Sequence, residues 1–117
     1  MIYDFMKRTD KLKQNWEFRR LYNRGKCVAT SEFILCFAKG KSGRVRLGIT
    51  AGKKIGSAVR RNRAKRIINA AFDSCLPRIK KGYDFCIVAR AKILSLKSTQ
   101  VTDMIFKKLT ENGLIDE

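Results

Sequence analysis

Apolar residues recur at helical spacing in three segments of the chain. The longest segment spans residues 57–75, where the apolar positions follow the spacing i, i+3, i+4, i+7, i+8 and i+11. They are Ala64, Ile67, Ile68, Ala71, Phe72 and Cys75. This spacing predicts a helix with one buried stripe, and Ser57 can cap it. Shorter helices are predicted over residues 15–23 and 98–112, each followed by a glycine that can end it.

Runs of apolar residues between these helices predict four strands. A short strand over residues 26–30 precedes one over residues 32–38, in which successive side chains point to opposite faces. Turn-forming residues 40–44 then lead to a strand over residues 45–50, so residues 32–50 are predicted to form a hairpin. Residues 84–90 are almost continuously apolar, which indicates a strand inside the sheet.

The resulting order, α-β-β-β-α-β-α, predicts an α/β (α+β) two-layer sandwich, with helices packed on one four-stranded sheet. The long helix between the third and fourth strands makes a βαβ crossover, so those two strands could lie parallel. The 117 residues contain no repeat and no linker. We therefore predict a single domain over residues 1–117, with residues 1–7 as an N-terminal tail.

Charge narrows the choice of partner. The chain has 27 Lys and Arg against 10 Asp and Glu, a net charge of +17. Such an imbalance causes self-repulsion, and a polyanionic partner explains it best. Nucleic acid is the first candidate and an anionic membrane surface the second. No window approaches the roughly 18 apolar residues of a membrane span, and the N-terminus does not resemble a signal peptide, so we predict a cytoplasmic protein.

The four cysteines form no Cys-x-x-Cys pair, and the chain contains no histidine. In a cytoplasmic protein this pattern predicts four reduced, mostly buried thiols and no zinc site. The ten acidic residues are scattered, so we also predict no metal or cofactor bound by the protein alone.

The strongest functional signal is residues 53–66, which hold seven cations and no acid. The backbone N–H groups at the start of a helix attract phosphate. The guanidinium group of arginine can form two parallel hydrogen bonds to phosphate oxygens. The side chain of asparagine can both donate a hydrogen bond to, and accept one from, a base edge or a 2′-hydroxyl. A merely solvated face would mix charges of both signs. The predicted nucleic-acid-binding residues, which the resemblance described below assigns to RNA, are Lys53, Lys54, Arg60, Arg61, Asn62, Arg63, Lys65 and Arg66.

A second cationic cluster covers residues 7–26 and is interleaved with Trp16, Phe18 and Tyr22. Aromatic side chains beside cations can stack on unpaired bases. They are equally suited to a hydrophobic core, and for this cluster a solvated helix surface remains an alternative.

The segment GKKIGSAVRRNRAKR resembles the signature of the bacterial ribonuclease P protein subunit, with its Arg61-Asn62-Arg63 core followed by Lys65-Arg66. An RLGIT strand precedes the segment and a DFCIVAR strand follows it, as in that family. The resemblance covers about residues 7–110. Relatives often carry an aromatic residue in place of Cys36, and usually an arginine in place of Asn69.

The resemblance implies a subunit of an endoribonuclease that removes the 5′ leader from precursor tRNA. The catalytic RNA would carry the reaction and its Mg²⁺, the protein alone would not be catalytic, and one protein monomer would join one RNA. The signature helix would contact the catalytic RNA or the cleavage-proximal end of the leader. The single-stranded leader would lie in a cleft lined by Phe18, Tyr22, Ile34 and Cys36. The resemblance also implies a left-handed βαβ crossover, against the general right-handed rule.

Two other functions fit the same basic surface. One is a ribosomal or other structural RNA-binding protein of similar fold. The other is a protein nuclease that acts without an RNA partner.

Overall fold

The computed structural model describes the backbone of residues 9–11, 15–40 and 43–116, and the side chains of residues 19–21, 23–40 and 43–116. The predicted tail over residues 1–7 lies outside the described residues. The helices are α1 (Asn15–Arg24), α2 (Ala58–Cys75) and α3 (Ser98–Glu111), with short 3₁₀ turns at Lys53–Ile55, Leu76–Arg78 and Ala91–Ser95. The strands are β1 (Thr9–Lys11), β2 (Lys26–Ala29), β3 (Phe33–Lys39), β4 (Val45–Ala51) and β5 (Tyr83–Ala89).

The predicted α+β fold and its order of elements are confirmed. All four predicted strands are present, and the three-residue β1 adds a further strand at one edge. Strand β5 lies inside the sheet, as its apolar sequence indicates. The parallel pairing of β4 with β5 across the α2 crossover is also as expected. The handedness of that crossover stays a prediction.

The predicted hairpin over residues 32–50 is wrong. The sheet order is β1-β4-β5-β3-β2, so β5 lies between β3 and β4 and pairs with both. The β5 sequence is apolar on both faces, which is typical of a strand inside a sheet that has both faces covered by helices. The antiparallel hairpin is formed instead by β2 and β3.

The main core lies between one face of the sheet and helices α2 and α3. Phe33, Phe72 and Phe85 are fully buried there, and the Phe72 and Phe85 rings meet edge to face at 5.5 Å. Each such side chain contributes about 1.5–3 kcal/mol by leaving water. The opposite face of the sheet, called here the α1 face, carries a smaller cluster in which Leu21 of α1 packs on Cys36 and Cys86.

The prediction of four reduced thiols is wrong for one pair, because Cys27 and Cys36 form a disulfide. The two residues lie directly opposite each other in the register of β2 and β3. That proximity follows from strand pairing, which cysteine spacing alone does not reveal. Cys75 and Cys86 are buried and are not joined in a disulfide, as predicted.

Candidate nucleic-acid interface

The segment that leads into α2 is tightly shaped. Lys53–Ile55 forms a 3₁₀ turn in which both lysines are exposed and Ile55 is buried in the core. Gly56 has φ +125°, a conformation that side-chain-bearing residues rarely adopt. Ser57 then caps α2 by accepting a hydrogen bond from the backbone N–H of Arg60. The two lysines are therefore held on a turn that is fixed by the buried Ile55 and by the capped start of α2.

Helix α2 separates an apolar face from a polar one. Ala64, Ile68 and Ala71 are fully buried, which fixes the rotation of the helix on the sheet. Seven of the eight predicted RNA-binding residues are exposed and Arg61 is half-buried; the exposed ones are Lys53, Lys54, Arg60, Asn62, Arg63, Lys65 and Arg66. Among the described residues, no acidic side chain forms an ion pair with any of their cations. The helix therefore presents uncompensated positive charge on a rigid support.

The parallel pairing of β4 and β5 extends this basic surface beyond the predicted residues. Ala51 pairs in register with Ala89, so the chain leaves both strands at the same edge of the sheet. Arg90 and Lys92 follow β5 and are exposed, on the edge where Lys53 follows β4. The segments that follow β4 and β5 lie far apart in the sequence, and they are neighbours only because the two strands pair in parallel.

The α1 face contains the second predicted site. Helix α1 lies over β3 and β5, and Ile34, Ala38 and Val88 are partly buried beside the cluster around Leu21. Cys36, predicted to line the leader cleft, has no exposed surface and is bonded to Cys27, so it lies beneath the surface of the α1 face. The side chains of Phe18 and Tyr22 lie outside the described residues, although α1 includes both positions.

An acidic residue that sequence reasoning missed lies at one end of this face. Asp84 of β5 is only 1% exposed, and its Oδ2 accepts a hydrogen bond from Nη2 of Arg20 at 2.5 Å. Nη1 of Arg46 lies 3.7 Å from the same oxygen. Arg20, which belongs to the second cationic cluster, therefore points its charge inward. The available signal was an aspartate within an apolar strand, because a buried acid needs a partner.

Burial also perturbs two groups near the end of α2. It raises the pKa of the Cys75 thiol to about 11, and the nearby Asp103 charge adds to the effect. Burial likewise raises the pKa of Asp73. Both groups lie near the C-terminal end of α2, while the cations lie at its start.

The described residues contain neither a cluster of metal-binding side chains nor a helix suited to a membrane. No three side chains of His, Cys, Asp or Glu gather into a group that could hold a metal ion in this part of the chain. Within the same residues, no helix combines the length and apolar character needed to cross a membrane.

A model of the protein family described as Ribonuclease P matches residues 6–112. The ribonuclease P protein component of Pelotomaculum thermopropionicum is 40% identical over 104 residues, which cover 89% of this chain and 93% of that protein. The corresponding protein of Oceanobacillus iheyensis is 32% identical over 111 residues, covering 94% and 92%.

Solved structures show the same likeness. The Staphylococcus aureus RNase P protein superposes with a TM-score of 0.78 at 29% identity, covering 91% of this chain and 97% of that one. The RNase P protein of Thermotoga maritima gives a TM-score of 0.77 at 26% identity, covering 87% and 96%. These matches span nearly the whole chain, including the basic helix and the α1 face.

Proposed function

This chain belongs to the ribonuclease P protein family, and from that premise we propose that it holds two RNAs on two separate surfaces. The first is the catalytic RNA and the second is the 5′ leader of precursor tRNA. Together the protein and the RNA would remove the leader by endonucleolytic cleavage. The observation that carries the proposal is the acid-free cationic face of α2, whose charges have no ion-pair partner among the described residues.

The basic surface at the start of α2 is suited to the folded catalytic RNA. Five cations and Asn62 lie on α2, and Lys53 and Lys54 lie on the turn just before it, so the phosphates they bind would have to match a fixed spacing. Each phosphate neutralised by Lys or Arg releases condensed counterions, which makes binding favourable and sensitive to salt. Arginine forks add directional contacts with phosphate oxygens. The exposed Arg90 and Lys92 would extend this contact.

The cleft on the α1 face is suited to a single strand. Ile34 and Val88 offer partly exposed apolar surface, which matches the faces of unpaired bases better than a paired helix. We assign Phe18 and Tyr22 of α1 to the opposite wall. Cys36 supports this surface from beneath, since it has no exposed area of its own.

We assign hydrolysis to the RNA and its Mg²⁺, and not to the protein. The proposed contact residues are Lys, Arg, Asn and apolar side chains, which bind phosphates and bases but are poor Mg²⁺ ligands. One copy of the chain would join one RNA, in the cytoplasm where precursor tRNA is processed.

The test is a cleavage assay on precursor tRNA at low Mg²⁺, with catalytic RNA alone, protein alone, and both. We expect little cleavage by either component and efficient cleavage by the pair. Cleavage by protein alone would overturn the assignment of catalysis to RNA. No gain on adding protein would favour the alternative of a structural RNA-binding protein.

A further inference from the structure

An ion pair joins helix α1 to the strand beneath it. Nη2 of Arg20, on α1, donates to Oδ2 of Asp84, on β5, at 2.5 Å. The Asp84 side chain is 1% exposed and that of Arg20 is 29% exposed. A buried carboxylate is costly without a charged partner. The position of Arg20, and with it the position of α1, is therefore tied to this carboxylate.

The sheet holds the Asp84 carboxylate in place. Strand β5 lies inside the sheet, and Asp84 is paired in register with Ala38 on one side and Arg46 on the other. A Cβ atom on Gly40 would come within 2.5 Å of Oδ1, so the carboxylate packs closely against the backbone there. The sheet therefore holds Asp84 in place, and Arg20 reaches its carboxylate from α1.

The neighbouring contact of α1 has a different character. Leu21 is fully buried against Cys36 and Cys86, an apolar contact without directional preference. A hydrogen-bonded ion pair requires a defined geometry. Leu21 therefore supplies attraction between α1 and the sheet, whereas Arg20 and Asp84 define how the helix lies.

We propose that Asp84 is a positioning residue for the leader: by holding Arg20 it sets the place of α1 on the sheet, and thereby the shape of the cleft between them. This inference rests on the proposed function, because α1 includes Phe18 and Tyr22, which we assign to that cleft. The same pairing neutralises a carboxylate that would otherwise repel the phosphates of a bound strand.

The pair is not arranged for greatest stability. Asp84 Oδ1 and Arg20 Nε are buried and lack a hydrogen-bond partner within the described residues. A buried pair with unsatisfied atoms adds little net stability compared with apolar residues, but removal of one partner leaves a buried charge uncompensated and is destabilising. The folding of each Arg20 variant is therefore measured before its leader binding, and Arg20→Lys, which keeps the positive charge, should disturb folding least.

The experiment compares Arg20→Gln with Arg46→Gln in the assembled protein–RNA enzyme. Both variants remove one cation beside the same carboxylate, but only Arg20 lies on α1. Affinity is measured for precursor tRNA with a leader, for tRNA without a leader, and for the catalytic RNA. Circular dichroism confirms folding.

We expect Arg20→Gln to weaken leader-dependent affinity roughly tenfold, which is the order of effect expected when one base–aromatic stacking contact is lost. Arg46→Gln should change it far less. The Arg20→Lys variant keeps the positive charge but lacks the planar guanidinium group, so it should also lose leader affinity. It replaces Arg20→Gln in the experiment if that variant does not fold.

Equal losses in the Arg20 and Arg46 variants would overturn the positioning role and leave a simple charge effect. A loss in Arg20→Gln that is as large for catalytic RNA as for the leader would also overturn it. If the wild-type enzyme shows no leader-dependent affinity at all, the proposed leader cleft itself is wrong.

Discussion

The hydroxyl oxygen of Ser57 accepts a hydrogen bond from the backbone N–H of Arg60, at 3.3 Å. This contact caps α2 at the residue before its first turn, where Arg60 and Arg61 follow without an acid. Cations near a helix start oppose the helix dipole, so the cap offsets part of a cost that the RNA-binding surface imposes.

Replacing Ser57 with alanine should therefore lower stability by about 1 kcal/mol, the usual value of an N-cap. Thermal unfolding measures the loss, and Ser57→Thr, which keeps the hydroxyl, is the matched control. An alanine variant as stable as wild type would show that the cap contributes nothing.

The salt dependence of RNA binding should identify the phosphate contacts of α2. Changing Arg61 and Arg63 to alanine should weaken binding to the catalytic RNA and reduce the slope of log affinity against log salt, by about one unit per lost phosphate contact. Lys107, an exposed cation on α3, provides the control in Lys107→Ala. An unchanged slope in the double variant would place both side chains away from phosphate.

Alkylation of cysteines should distinguish the disulfide from the two thiols that are not disulfide-bonded. Protein unfolded without a reductant should label at Cys75 and Cys86 only, because Cys27 and Cys36 are bonded. Reduced, folded protein should label first at the exposed Cys27. Cys75 should react slowly, since it is buried and its thiol, with a pKa of about 11, stays protonated at neutral pH. Mass spectrometry after each step counts the labels, and four labels without a reductant would contradict the disulfide.

Ionisation of the Asp73 carboxyl should lower the free energy of unfolding of the protein as pH rises. Burial raises its pKa in the folded protein above the ordinary value of 3.8, so the unfolded chain releases this proton first. Ionisation then favours unfolding, beginning as pH passes 3.8 and complete above the folded pKa. Asp73→Asn should match wild type at low pH and be more stable at neutral pH. Thermal unfolding across this range tests the sign, and a variant less stable at pH 7 would contradict it.

Gly40 should resist substitution because of its contact with Asp84. An added Cβ would lie 2.5 Å from Oδ1 and 2.8 Å from Cγ of that side chain. Gly40→Ala should therefore cost about 1–3 kcal/mol, as for other overpacked sites. Gly52, which has open space around it and an ordinary φ of −79°, is the matched control and should tolerate alanine. Equal denaturation midpoints for the two variants would rule out the clash.

Local patterns predicted the elements well. The limits of α2 follow from the Ser57 cap and from an apolar stripe that includes Ile68 and Phe72, and both signals lie within the helix itself. The central position of β5 follows from its own apolar sequence. The basic residues at the start of α2 were found in the same way, since they are contiguous in the chain.

Pairings between distant segments were not predictable in the same manner. Nothing in the sequence around β3 and β4 indicates that β5 separates them, so the expected hairpin failed. The Cys27–Cys36 bond depends on the register of β2 and β3. Arg90 joins the basic surface only through the alignment of Ala51 with Ala89.

Neighbouring residues in the sequence were sufficient to predict the three helices, strands β2 to β5, the cationic helix and the family that the chain resembles. Which charges face solvent and which face inward became clear only from the packing of distant segments. Arg63 and Arg20 look equivalent in the sequence, yet Arg63 is exposed whereas Arg20 reaches the buried carboxylate of Asp84, 64 positions away. An aspartate in an apolar strand signals that a charged partner is needed, but which distant cation becomes that partner depends on packing between distant segments.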